Sequence, residues 1–288
     1  MHTKKWMVVL SGWILLLSGC TCYYGNFGER DDVQHFIDKV SARDHFDSQK
    51  LTSVFNQVNP DNMIVKSEKK PHEQSMTWER YRARLVNPAH VDRGADFWSA
   101  HQETLKIAQQ RYGVDPEIII GILGVETNYG KYLGKFRAMD ALSTLAFDYP
   151  RREHYFQFEL EQYLLLTREL DKDPLSLPSS YAGALGLPQF MPSNYRHLAV
   201  SKNGNTPDLF YNADDVILSI ANYFHYSGWQ PNQPVALQVS CCQNALKLGN
   251  ECWQIYPNFL VIKRYNNSNF YAMTVYQLGQ AAKHRKYS

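Results

Sequence analysis

From Ile118 to Val125 the chain carries almost no polar side chain, running through Ile118, Ile119, Ile120, Ile122, Leu123 and Val125, and then places a glutamate, Glu126. Asp115 and Pro116 read as the start of a helix, an N-cap residue followed by proline at the first helical position. A helix this apolar has to be buried, and it draws the carboxylate at its end out of water with it. Desolvation disfavours the charged form, so the Glu126 carboxyl should be protonated near neutral pH. Two readings stay open on the residues alone: a general acid, or a structural carboxyl bonded to a backbone group or an arginine.

The rest of the chain reads as mostly α. Segments 31–44 and 47–58 have apolar residues at three- and four-residue spacing. Residues 62–88 are more polar and read as partly extended or loop up to Tyr81. Residues 94–113 read as one amphipathic helix stopped by Gly113. Two helical stretches follow, broken at Tyr149-Pro150. Residues 173–195, dense in Pro, Gly and Ser, read as an irregular passage. A helix capped near Asn212 ends at Gly228, a loop-like and partly extended insertion covers 231–256, and a short extended piece precedes a final helix. The length of 288 residues suits one large domain or two small ones.

The N-terminus reads as an export signal: Lys4 and Lys5 precede the apolar run "WMVVLSGWILLL", too short for a comfortable membrane span. It ends in "LLSGC", which resembles the bacterial lipobox, with cleavage before Cys20 and lipidation of that residue. The expected division is a signal peptide at 1–19, a tether at 20–30, a helical domain at 31–230 and 257–288, and the insertion at 231–256. Thr21 after Cys20, where inner-membrane retention in enteric bacteria uses Asp, directs the expectation to the outer membrane.

Loss of 1–19 takes Lys4 and Lys5 from the 30 basic residues, which then equal the 28 acidic ones. A neutral chain argues against a nucleic-acid partner steered by bulk charge. In an oxidising compartment Cys241 or Cys242 is expected to pair with Cys252 across about ten residues. Their spacing, with no nearby histidine pair, is a poor zinc pattern. Gly124 to Gly130-Lys131 lacks the spacing and the Ser/Thr of a phosphate loop, and neither H-E-x-x-H nor G-x-S-x-G occurs. No cofactor is expected.

The segments "GVETNYGKYLGKFRAMDALSTLAFDYPRREHYFQFELEQYLLL", "SYAGALGLPQFMPSNY", "SIANYFHYSGW" and "RYNNSNFYAMTVYQLGQA" occur in that order. Together they resemble the lytic murein transglycosylase B family, a branch of the lysozyme-like superfamily, from about Trp98 to Ala282. The resemblance implies a lysozyme-like helical fold and cleavage of peptidoglycan strands between N-acetylmuramic acid and N-acetylglucosamine, with a 1,6-anhydromuramoyl end formed. By position it makes Glu126 the single acid and base. Ser180, Gln189 and Phe190 then match cleft residues near the scissile bond, and Tyr223, Tyr265, Asn266 and Tyr271 match groups around the carboxylate. Tyr81 and Tyr155 match the cleft wall. Glycoside hydrolases of the usual kind need two carboxylates, and this motif set supplies one.

Three departures stand out. Some family members carry a calcium loop before the "ANYF" helix, but here Ser201, Asn203 and Asn205 stand where acidic ligands are wanted, so no metal is expected. The domain commonly inserted before the "RYN" motif is reduced to about 25 residues. Pro188 stands where glycine is common and should stiffen the loop that presents Gln189. The alternatives to a lyase are a muramidase that delivers water and a non-catalytic peptidoglycan-binding lipoprotein.

Overall fold

The computed structural model describes residues 26–69 and 76–288. The signal peptide, Cys20 and Cys22 lie outside the described residues, as does most of the tether. No described helix is long and apolar enough to cross a membrane.

Helix α7 (Pro116–Thr127) is the centre of the molecule, with every residue from Pro116 to Gly124 buried. Asp115 occupies the N-cap position without bonding the helix amides; its carboxylate accepts from the Gln109 amide at 3.4 Å instead. The last long helix, α13 (Asn269–Tyr287), lies across α7 in the most extensive helix contact of the fold. Two glycines make this crossing close: a Cβ on Gly121 would stand 2.1 Å from the Val275 carbonyl oxygen, and one on Gly279 would stand 2.0 Å from that of Glu117.

Around this pair, α5 (Pro88–Ala100) packs on both α7 and α13, while α6 (Gln102–Tyr112) joins α11 (Ala213–Tyr226). Helices α8 (Ala138–Asp148) and α9 (Glu153–Glu169) form a second layer, to which α1 (Asp31–Asp44), α2 (Ser48–Phe55) and α10 (Pro192–Leu198) are added. One continuous apolar core runs from Phe27 to Ala282.

Three local expectations are corrected. Within residues 62–88 the described residues form two helices: α3 (Asn62–Lys69) buries Ile64 and Val65 and packs on α8, and α4 (Trp78–Leu85) buries Trp78 beside Phe270. The single helix expected over 94–113 is two, broken at His101 (φ −118°, ψ 24°). A straight rod cannot serve α13 and α11 at once, and Thr104 fixes the second half by donating to Asp214 at 2.6 Å. The piece read as extended after residue 257 is helix α12 (Pro257–Tyr265), because burial of Phe259, Val261 and Ile262 outweighs the weak strand preference of its β-branched residues.

The 231–256 insertion folds as a three-stranded antiparallel sheet, β3 (Ala236–Val239), β4 (Leu246–Leu248) and β5 (Glu251–Ile255), ordered β3-β5-β4. A shorter pair, β1 (Phe136–Arg137) and β2 (Pro178–Ser179), precedes α8 and the loop of Ser180. Of the two pairings left open, Cys242–Cys252 forms and Cys241 is exposed and free. Replacing Cys242 and Cys252 together by Ala is expected to lower stability by about 3 kcal/mol, the loop-closure value for ten residues. Denaturant unfolding checks it, and an unchanged midpoint would show that the sheet needs no staple.

Candidate active site

Glu126 sits in the last turn of α7, which ends because Asn128, Tyr129 and Gly130 all take left-handed backbone (φ 52°, 59° and 86°). The residue is half-buried and lines a pocket, with protein packed closely around its carboxyl. Tyr271, on the first turn of α13, donates its hydroxyl to Glu126 Oε1 at 2.5 Å. Burial pushes the Glu126 pKa up to about 7, and the Tyr271 hydrogen bond opposes this in part. The structural arginine partner considered from sequence is not found among the described residues; the partner is a tyrosine.

Behind Tyr271 the aromatic residues form a wall. Tyr265 stacks on Tyr271 with ring centroids 6.4 Å apart and planes at 17°, and Tyr223 meets Tyr265 edge-on at 4.8 Å. Their hydroxyls are committed to backbone: Tyr265 donates to the Pro188 carbonyl at 2.5 Å and Tyr223 to that of Arg264 at 2.8 Å. Pro188 thus anchors its loop through its carbonyl. Phe190 is only 1% exposed and packs against Tyr223 and Tyr265. It has no surface for a sugar, so its place in the cleft is corrected to support beneath the wall; Tyr223, at 8% exposure, stands with it.

Ser180 Oγ accepts from the amides of Ala182 (3.3 Å) and Ala184 (3.1 Å), which leaves its O–H to donate. Gln189, held at φ 52°, donates its amide to the carbonyls of Gly186 (2.9 Å) and Leu133 (3.4 Å), leaving its Oε1 free of those bonds. Asn266, just past the end of α12, is exposed. Tyr81 tilts against Phe270 at 5.8 Å. Tyr155, on α9, is exposed, with the Arg152 guanidinium 4.2 Å above its ring.

Sequence reasoning missed the other side of Glu126. A pocket of about 490 Å³ opens there, lined by Glu126, Asn128 and Lys131 from one segment and by Arg84, His90 and Arg93 from the α4–α5 region. Among the described residues, no second carboxylate lines it. Arg84, His90 and Arg93 lie outside the quoted motifs, so only the chain crossing could have brought them to the segment of Glu126.

The loop that resembles a calcium site has a different occupant. Lys202 Nζ sits 2.9 Å from Asp214 Oδ2 and 3.0 Å from Thr104 Oγ1, while Asp215 accepts from the amides of Lys202 and Asp208. With its carboxylates spent on a lysine and on backbone, this donor set does not suit calcium, and no step is derived through one.

Tyr271→Phe removes the donor that favours the ionised carboxyl, so the Glu126 pKa should rise further. Turnover is expected to fall about tenfold through loosened orientation, with the alkaline limb of its pH profile displaced to higher pH. Rates measured across that limb decide it; a drop without displacement would give Tyr271 a purely packing role.

Residues 28–250 and 242–280 match the family model described as "Transglycosylase SLT domain". The chain belongs to this family and is a peptidoglycan lytic transglycosylase, a carbon–oxygen lyase acting on a polysaccharide. It is 37% identical over 303 aligned residues to membrane-bound lytic murein transglycosylase B of Escherichia coli K12, covering 89% of this chain and 84% of that one. Among solved structures, the Escherichia coli lytic transglycosylase SLT35 in complex with bulgecin A superposes with a TM-score of 0.85 at 36% identity, over 92% of this chain and 96% of that one. Catenated lytic transglycosylase SltB1 of Pseudomonas aeruginosa gives 0.83 at 36% identity, over 90% and 99%.

Proposed function

We propose that Glu126 alone performs both proton transfers of a lyase reaction on peptidoglycan glycan strands. The observation that carries this is one carboxyl, its pKa raised by burial to about 7, on a residue that lines a pocket with no second carboxylate among the described residues. A pKa near the working pH suits a group that must be acid and then base. Tyr271 occupies Oε1, which leaves Oε2 to carry the proton.

Oε2 gives its proton to the oxygen between N-acetylmuramic acid and N-acetylglucosamine as the bond from that oxygen to muramoyl C1 breaks. Positive charge develops at C1, where the neighbouring 2-acetamido group can share it. The Glu126 carboxylate then takes the proton of the muramoyl C6 hydroxyl while O6 bonds to C1. The anhydro ring closes, Glu126 is protonated again and no water is consumed. The free Ser180 O–H, Gln189 Oε1 and the exposed Asn266 amide supply hydrogen bonds to sugar hydroxyls and the acetamido group, and Tyr81 and Tyr155 supply ring faces.

The anchoring part of the reading is a lipid on Cys20 holding the catalytic domain in the periplasm at the outer membrane, with the 231–256 sheet as a small insertion into that domain. Two signals favour it: the lipobox-like "LLSGC" and the Cys242–Cys252 disulfide, which fits an oxidising compartment.

The test is mass spectrometry of muropeptides released from purified sacculi by the full-length chain. Anhydromuramoyl ends are expected. Reducing ends would make the enzyme a muramidase and require a second catalytic group, and an absence of products would leave a docking lipoprotein.

A further inference from the structure

The pocket beside Glu126 is cationic in a way that proton transfer does not require. Arg84 comes from the end of α4, Arg93 from α5 and Lys131 from the turn after α7, and all three line the same 490 Å³ space. None of the three makes an ion pair among the described residues; Asp92, next to Arg93 in sequence, pairs with Arg285 at 2.7 Å. Arg93 uses Nε to bond Asn128 Oδ1 at 2.7 Å, which leaves its terminal nitrogens for something else. His90, whose Nδ1 meets the Asn87 amide at 2.9 Å, has its pKa lowered by burial and then by Arg93 and Lys131, which places those charges in one neighbourhood.

Three cations gathered around one concave space raise the local positive potential, which suits the entry of an anion. The neighbouring Glu126 makes no ion pair with any of the three among the described residues; its Oε1 accepts from Tyr271 instead. A ligand that reaches the pocket can supply that anion. On a glycan strand crossing Glu126, hydroxyls and acetamido groups are neutral, and carboxylates occur only on the muramoyl residues.

We propose that Arg84, Arg93 and Lys131 form a carboxylate-binding subsite that receives the lactyl arm of a muramoyl residue adjoining the scissile bond, through either its own carboxylate or one on an attached stem peptide. This rests on the glycan-strand reading for the identity of the substrate. The subsite makes the enzyme select muramoyl-containing strands over neutral N-acetylglucosamine polymers and sets the register of the strand, since only alternate sugars carry the arm. Charge-assisted pairs of this kind combine affinity with geometry.

Binding is measured with the full-length chain as Glu126→Gln, so that no ligand is consumed. Three oligosaccharides of equal length serve: peptide-free glycan with free lactyl carboxylates, glycan bearing stem peptides, and a neutral chito-oligosaccharide. At low salt at least one of the two anionic ligands is expected to bind about tenfold tighter than the neutral one, and the advantage should shrink with added salt. Adding Arg84→Gln and Lys131→Gln together should abolish the advantage while changing chito-oligosaccharide affinity less than about twofold. Both positions are exposed and outside the core.

An advantage confined to peptide-free glycan assigns the lactyl carboxylate; one confined to peptide-bearing strands assigns the stem peptide. Equal binding of all three ligands by the parent overturns the subsite, as does an equal loss on all three in the double variant. Turnover by the unsubstituted chain is followed in parallel. Charge-selective binding without anhydro products would remove the lyase mechanism and leave the subsite standing, whereas anhydro products with charge-blind binding would remove the subsite alone.

Discussion

Glu126→Gln is expected to reduce formation of anhydromuramoyl ends by about 10⁴-fold, the upper end of what a positioned acid–base group contributes, because one residue serves both steps. The amide oxygen of Gln can still accept from Tyr271, so strand binding should persist. For the unsubstituted enzyme the first step needs protonated Glu126, so turnover should fall as pH rises past about 7. The same pKa carries a stability signature of opposite benefit. Glu126 is raised from 4.5 to about 7 in the folded state, so the folded chain holds the proton more tightly than the unfolded one. Stability is then highest at low pH and is lost as pH climbs from the unfolded value through the folded one, a total on the order of 3 kcal/mol. Gln carries no such cost. The variant and the parent should melt together near pH 4 and diverge by pH 9, with the inactive variant about 6 °C higher. Thermal melts at both pH values check this; a constant difference would mean that the carboxyl is not desolvated.

Gly279→Ala should be the most damaging of the small substitutions. Its new Cβ would fall 2.0 Å from the Glu117 carbonyl oxygen, a backbone atom of the buried helix α7 that cannot swing aside. The helices have to separate by about an ångström, and the apolar contacts along their crossing loosen together. Overpacking of this kind costs about 3 kcal/mol, more than the roughly 1 kcal/mol by which Ala is the better helix former. A melting point about 5 °C lower is expected. Activity should fall further than stability, because Tyr271 rides on α13 and Glu126 on α7, so any separation lengthens their 2.5 Å hydrogen bond. Gly121→Ala, 2.1 Å from the Val275 carbonyl, should behave alike. Unchanged melting in both would mean that the crossing can open freely.

What could be read in the chain follows from how local the information is. Asp115-Pro116, the Gly113 stop and the Asn212 cap act within a few residues, and all three boundaries stand where they were expected. The breaks that were missed depend on remote partners. His101 ends α5 so that Thr104 can reach Asp214, and residues 257–265 are helical because α13 offers them a face. Phe190 and Tyr223 belong to motifs that mark the site, and sequence alone could not separate a ring touching sugar from one packed beneath the wall.

The apolar run ending in Glu126 was decided by the sequence itself. Eight nearly featureless positions must be buried, and the carboxyl that follows them must lose water and hold its proton. Which group would steady that carboxyl, and what would face it, was decided only by the tertiary structure. Tyr271 arrives from 145 residues away because two glycines let α13 lie against α7. Arg84, Arg93 and Lys131 converge on one pocket because α4, α5 and the turn after α7 meet there. Burial is a property of a segment and can be read along the chain; convergence belongs to the packing of segments and exists only once they meet.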